Sequence, residues 1–283
     1  MPPTPDDLID DISGLITLPD VYLRINRLID SPTSTSADIA KAVSQDASFT
    51  VKLLKLANSP LYSFSSRVDN VAKAVTVIGT AQVRSLSLSL SVANTFEGLP
   101  NDLVSMRNFW KHSLLCGLAA RSLCKEARRC DADTLMTAGL LHDIGELILF
   151  NRLPEASRKA LLLVLDSQEE MQINEAEDEI IGFDHGAVGG ALAKMWNLPM
   201  VLQECIALHH YPERAEHHPR EVALIHIANV LAQLAEIDSF DFADASPISP
   251  AAWARCGLDE DCAQEVILAA QKDFEEIEKL FLE

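Results

Sequence analysis

An imidazole and a carboxylate stand side by side in an otherwise apolar run. His142 and Asp143 follow Leu140-Leu141 and precede Ile144-Gly145 within residues 134–147, whose spacing predicts helix. Burying the pair is costly unless a metal or hydrogen bonds satisfy both groups. Neighbouring helical residues diverge by about 100°, so both can serve one ion only near a helix end or beside its axis, and the remaining partners must come from other segments. The fold must therefore gather distant polar side chains at one point. The available ones are His112, His185, His209, His210, His226 and Asn229. One histidine on an apolar face reads as a core residue, but six of the chain's eight histidines belong to this set together with His142, most of them in apolar segments. His226 and Asn229 are three residues apart and share a helix face, which suits two ligands of one cluster. Histidines with a carboxylate suit Zn, Mn or Fe, and such an ion can acidify a bound water for attack on phosphorus. A metal-free polar cluster is the alternative.

The rest of the composition points to helices. Hydrophobic residues make up 48% of the 283, with only three Tyr, three Trp and 11 Gly, so aliphatic helices are favoured over a β-sandwich. The net charge of −19, from 23 Lys and Arg against 42 Asp and Glu, repels phosphate backbones and anionic lipid and argues against a nucleic-acid or membrane partner. Cys116, Cys124, Cys130, Cys205, Cys256 and Cys262 form no CxxC pair, which favours buried thiols in a reducing compartment. The first residues, rich in Pro and Asp, lack a basic region followed by an apolar core, and no long uncharged apolar run exists. The expected location is cytoplasmic.

Along the chain, Leu8, Ile9, Ile12, Leu15 and Ile16 predict a short acidic helix, and Val21, Leu23, Ile25, Leu28 and Ile29 a second. Thr35 or Ser36 caps a third and Asp46 a fourth. Asn58-Ser59-Pro60 opens a loop with Tyr62 and Phe64, and helix resumes from Val71 to Ile78. Residues 85–92 alternate Ser with Leu or Val, a strand-like period of two, but Val83, Leu86, Leu90 and Ala93 also fit a helical face, and a lone strand has no partner. Helix is therefore expected there. Residues 97–102 form the best internal boundary, followed by a long helix from about Met106 to Lys125 with His112 on it. The acidic stretch 169–179 reads as a solvated helix face. Asp238 to Pro250 reads as a loop before two final helices.

The His112 helix, Leu141-His142-Asp143-Ile144-Gly145, His185, His209-His210 and His226-x-x-Asn229 resemble the HD superfamily of metal-dependent phosphohydrolases. Leu18-Pro19, residues 46–49, the Leu-Ala-Asn-Ser-Pro-Leu-Tyr block at 56–62, and Ile78-Gly79 narrow the resemblance to the HDOD family, HD-related output domains of bacterial signalling, over about residues 18–230. The resemblance implies an all-α, two-lobed helical bundle, with a first lobe over 1–100 and an HD-like lobe over 101–283. It implies His112, His142 and Asp143 as first-metal ligands, with His142 and Asp143 at the catalytic position. His185, His209 and His210 match positions that hold a second metal or contact phosphate, and His226 matches a polar neighbour.

Where the superfamily carries a final Asp, this chain has Asn229, a neutral carbonyl that weakens a cation site. The run after His210 also lacks the signature of HD-GYP proteins, which argues against a cyclic-di-GMP substrate. The expected function is a signalling module working through contacts with a partner protein, carrying a divalent transition metal (Fe, Mn or Zn). The alternative is a metal-dependent phosphohydrolase acting on a nucleotide or other phosphoester. No attached receiver, kinase or cyclase domain is expected, so the partner is expected on another chain.

Overall fold

Apolar residues recur at three- and four-residue spacing through most of the chain, and the structure turns that periodicity into α-helices. The computed structural model describes residues 3–12, 14, 16–59, 67–96, 103–128, 130–167 and 171–282, excepting the side chains of 93, 94 and 279–282. No strand occurs among the described residues. Tyr62 and Phe64, the loop aromatics, lie outside them, as do the boundary residues 97–102.

Helices α1 (Pro5–Ile12), α2 (Asp20–Asp30), α3 (Ser36–Val43), α4 (Ala47–Ala57), α5 (Val71–Ile78) and α6 (Thr80–Phe96) come first. They are followed by α7 (Met106–Ala127), α8 (Ala132–Leu141), α9 (Ile144–Arg152), α10 (Pro154–Asp166) and α11 (Ile173–Ile180). Last come α12 (His185–Met195), α13 (Met200–Leu208), α14 (Pro219–Glu236), α15 (Pro250–Cys256) and α16 (Ala263–Leu282). Two compact units result, Met1–Ile16 with Gly98–Gln271, and Thr17–Glu97 with Lys272–Glu283. The units are not consecutive halves, because α1 buries Leu8, Ile9 and Ile12 and packs on α12.

In the smaller unit, local chemistry sets the helix ends. Thr35 and Asp38 form a reciprocal capping box on α3, and Asp46 and Asn70 cap α4 and α5. Asn58 holds both backbone groups of Val68, donating to its carbonyl (2.7 Å) and accepting from its N–H (2.8 Å). The alternating Ser run is helical, and Ser87 and Ser89 turn their hydroxyls back onto the carbonyls of Arg84 and Ser85, so buried serines are satisfied within α6 itself.

The larger unit is built around α14, buried along nearly its whole length. It packs against α7, α8, α13 and α15. Cys124, near the end of α7, and Cys130, just before α8, are joined as a disulfide, which corrects the expectation that all six cysteines are thiols. They are only six residues apart, and the turn after α7 folds Cys130 back onto the end of that helix, an approach that a search for CxxC pairs does not detect. The other four are free.

Candidate metal centre

Helix crossings bring the polar groups together. Helices α7 and α8 approach so closely that a Cβ on Gly139 would lie 2.6 Å from backbone atoms of Gly117. That contact places His112, on α7, beside the end of α8. The expected continuous helix through His142 and Asp143 is broken at the pair. His142 caps the end of α8 while Asp143, with ψ of 9°, precedes α9, so the two side chains share a helix junction. On the far side Gly145 lets α9 meet the start of α12: a Cβ there would stand 1.9 Å from the His185 carbonyl oxygen. His209 and His210 follow the last turn of α13.

Each inner histidine is anchored through Nδ1. His142 donates from Nδ1 to the Gly139 carbonyl (2.7 Å), and His209 to the Ile206 carbonyl (2.9 Å). His185 donates to Glu177 Oε2 (2.6 Å), and His112 to Glu236 Oε2 (3.2 Å). Acceptors on the Nδ1 side direct the Nε2 atoms of all four inward, as hydrogen bonds to the far ring nitrogen do for metal-ligating histidines. Around Asp143 the two carboxylate oxygens serve different groups. Oδ2 is 2.9 Å from His142 Nε2 and 3.5 Å from His112 Nε2, whereas Oδ1 is 3.3 Å from His209 Nε2 and 3.4 Å from His185 Nε2. His210 Nε2 reaches to 2.9 Å from His185 Nε2, so both members of the His209-His210 pair point inward. Asn229 Oδ1 lies 3.0 Å from His112 Nε2.

His226 does not join this convergence. Its Nδ1 donates to the His209 carbonyl (2.8 Å) and its Nε2 accepts from Ser249 N–H (3.0 Å), so both ring nitrogens are used by backbone. It fixes the turn that carries His209.

The donors fit a divalent ion. His142 Nε2 is buried and has no hydrogen-bond partner, although a carboxylate oxygen is 2.9 Å away. With Nδ1 of His185 and of His209 already donated, their Nε2 lone pairs face each other at 3.3 Å, an arrangement that repels unless a cation or added protons intervene. Three groups have spacing suited to metal ligation among the described residues: His112-His142-Asp143 and Asp143-His185-His209-His210, which share Asp143, and Glu146-Glu177-His185.

Charges in the cluster are strongly displaced. Burial opposes the charge on His142 and His185, but Asp143 acting on the first and Glu177 on the second raise both well above the usual imidazole value. Burial also opposes the charge on Asp143, and His142 outweighs it, holding the carboxyl well below its ordinary range. Burial drives His210 well down and His209 to about 4. Glu146, on α9, is pushed up to about 8 by burial and then by Asp143.

Three carboxylates were not legible as site residues. Glu177 belongs to the acidic stretch read as a solvated face, yet it is 1% exposed and accepts from both the backbone N–H (2.8 Å) and Nδ1 of His185. It stands beside buried Ala176, and that adjacency was the available signal. Glu236 lies seven residues after Asn229 on the same face of α14, a spacing that could have revealed it. Glu146, three residues after Asp143, carried no such signal. A cavity of about 500 Å³ opens on the cluster, lined among others by Ser105, Asn108, His112, Asp143, Glu146 and Gln233. No Lys or Arg is among the described residues that line it.

The HDOD domain pattern matches residues 15–212, most of the chain. The chain belongs to the HDOD family. Solved structures share the fold of this HDOD chain. A Geobacter sulfurreducens HDOD domain protein of unknown function is 24% identical with a TM-score of 0.70, covering 96% of this chain and 92% of that one. A candidate phosphohydrolase from Shewanella amazonensis SB2B is 21% identical with a TM-score of 0.76, covering 97% of both chains. A candidate signal-transduction protein from Marinobacter aquaeolei VT8 is 20% identical with a TM-score of 0.74, covering 97% of this chain and 61% of that one. An uncharacterized Treponema pallidum (strain Nichols) protein is 29% identical over 79% of this HDOD chain, which spans only 42% of that relative's length. No helix among the described residues is long and apolar enough to cross a membrane.

Proposed function

We propose that this HDOD chain is a cytoplasmic signal-transduction module whose larger unit holds a divalent transition metal, Fe, Mn or Zn, and whose output passes to a partner protein by contact. The observation that carries the metal is the convergence of anchored Nε2 atoms on Asp143, with His142 Nε2 fully buried 2.9 Å from its Oδ2. His112, His142 and Asp143 would hold a first ion, and Asp143, His185, His209 and His210 a second. Asn229, which faces His112 without a charge, argues against rapid turnover at the first ion. The family and the description of the Marinobacter protein support the signalling role.

A second reading, phosphoester hydrolysis, is favoured by the cavity that opens on the same residues and by the description of the Shewanella protein. A divalent ion supplies an acidified water and polarises a phosphoryl oxygen. Ser105, Asn108 and Gln233 line the cavity as neutral hydrogen-bonding groups. With no cationic side chain among the described lining residues, these groups would orient a phosphoester without neutralising it.

Elemental analysis of the purified chain tests the first reading: stoichiometric transition metal, lost in Asp143→Ala, is expected, and chelation should lower the melting temperature. A melting curve indifferent to chelator and to added Zn, Mn or Fe refutes it. Hydrolysis of bis-p-nitrophenyl phosphate that disappears in His142→Ala would establish the second reading, and inactivity with every divalent metal would favour the module.

A further inference from the structure

Two carboxylates stand beside the histidine cluster without belonging to its two ligand groups. Glu146 lines the cavity from α9, and Glu177 is buried on α11. Ligand atoms of Glu146, Glu177 and His185 all lie within 4.8 Å of one another. His185 gives Glu177 hydrogens: its backbone N–H and its Nδ1–H both go to Oε2, so this side of the ring offers no lone pair. The other oxygen, Glu177 Oε1, is buried with no hydrogen-bond partner. A buried carboxylate oxygen without a donor, next to a second carboxylate, carries both a desolvation cost and a like-charge repulsion.

We infer that Glu146 and Glu177 form a third cation position, ligated by oxygen alone and suited to a hard divalent cation of the Mg2+ or Mn2+ type. The two histidine groups offer imidazole nitrogen, which suits Zn and Fe, whereas one or two carboxylates with the remaining shell left to water or phosphate is the pattern of Mg2+. Glu146 faces the cavity, so those remaining ligands would come from the cavity side. Glu177 Oε2 keeps its two bonds to His185 while Oε1 serves the ion, which ties the third position to the orientation of the second histidine group. This position does not require the histidine groups to be filled.

The test uses the full chain, stripped by chelator, loaded with only the two equivalents of Zn2+ that the histidine groups take, and then titrated with Mg2+ alone by calorimetry. The wild type should take up one equivalent of Mg2+ after this loading. Glu146→Gln, which keeps the shape and removes the charge, should lose that equivalent or bind it at least about tenfold more weakly, with Zn2+ uptake unchanged. Failure of the zinc-loaded wild type to bind Mg2+ overturns the inference without any variant. Equal Mg2+ binding in wild type and Glu146→Gln overturns it too. Zn2+ uptake reports on the histidine groups separately, so the two readings fail by different observations.

Discussion

Glu177 gives the sharpest perturbation because its single oxygen Oε2 accepts two buried hydrogen bonds from one residue, at 2.8 Å from His185 N and 2.6 Å from Nδ1. A hydrogen bond to a charged group contributes about 1.5–3 kcal/mol, and removing one partner also leaves the other buried and unpaired. Glu177→Ala removes the acceptor of both bonds at once, leaving two His185 donors buried and unpaired, and should lower unfolding free energy by about 3–5 kcal/mol. Glu177→Gln retains an acceptor oxygen and loses the charge, so about 1–2 kcal/mol is expected. Metal binding should respond differently from stability. The carboxylate fixes the ring and its tautomer, and loss of such a group weakens metal affinity by about 10–100-fold even where the fold survives. Urea unfolding of the metal-free variants measures the first effect, and competition against a coloured chelator the second. A Glu177→Ala protein as stable as wild type would refute the burial argument. Wild-type metal affinity in a folded Glu177→Gln would refute the role of Glu177 in aiming His185.

Asn229→Asp adds a carboxylate oxygen 3.0 Å from His112 Nε2 and should tighten divalent binding by about tenfold, ~1.4 kcal/mol by calorimetry; unchanged affinity would remove Asn229 from the ligand shell. Asp143 and Glu177 raise the values of His142 and His185, so in the metal-free protein these rings keep protons to higher pH than usual, and a metal must displace them. Divalent affinity should therefore rise with pH and fall as pH drops, with proton release visible by calorimetry in buffers of different ionisation enthalpy; a pH-independent affinity contradicts this. Gly145→Ala would place a Cβ 1.9 Å from the His185 carbonyl oxygen and 2.7 Å from Gly189 N, both backbone atoms that cannot rotate away. Forced separation of α9 from α12 should cost about 3 kcal/mol or more in thermal or urea unfolding, and a wild-type melting curve would show that the contact relaxes freely.

The helices were legible in the sequence because periodicity and capping are local: apolar spacing predicts α7 and α14, and Asp46 caps α4 as its position suggests. Even the misleading Ser-Leu alternation resolved as helix by local chemistry, with hydroxyls bonded within α6. The histidines and Asp143 were legible as a group because uncommon polar residues in apolar segments stand out one at a time. Their geometry was not. Which nitrogen of each ring is anchored, that both His209 and His210 turn inward, and that His226 is consumed by backbone all depend on groups 3 to 124 residues away in the chain. The break between α8 and α9 at the His-Asp pair escaped periodicity because an apolar run continues through it. Glu177 was misread because an acidic stretch looks solvated in sequence, and only the packing of α11 beside α12 turns one of its carboxylates inward. The sequence by itself determined the helical class and singled out the histidines and Asp143, since these follow from neighbours along the chain. The tertiary structure alone decided which lone pairs meet, because burial and ring orientation are set by helices far apart in sequence.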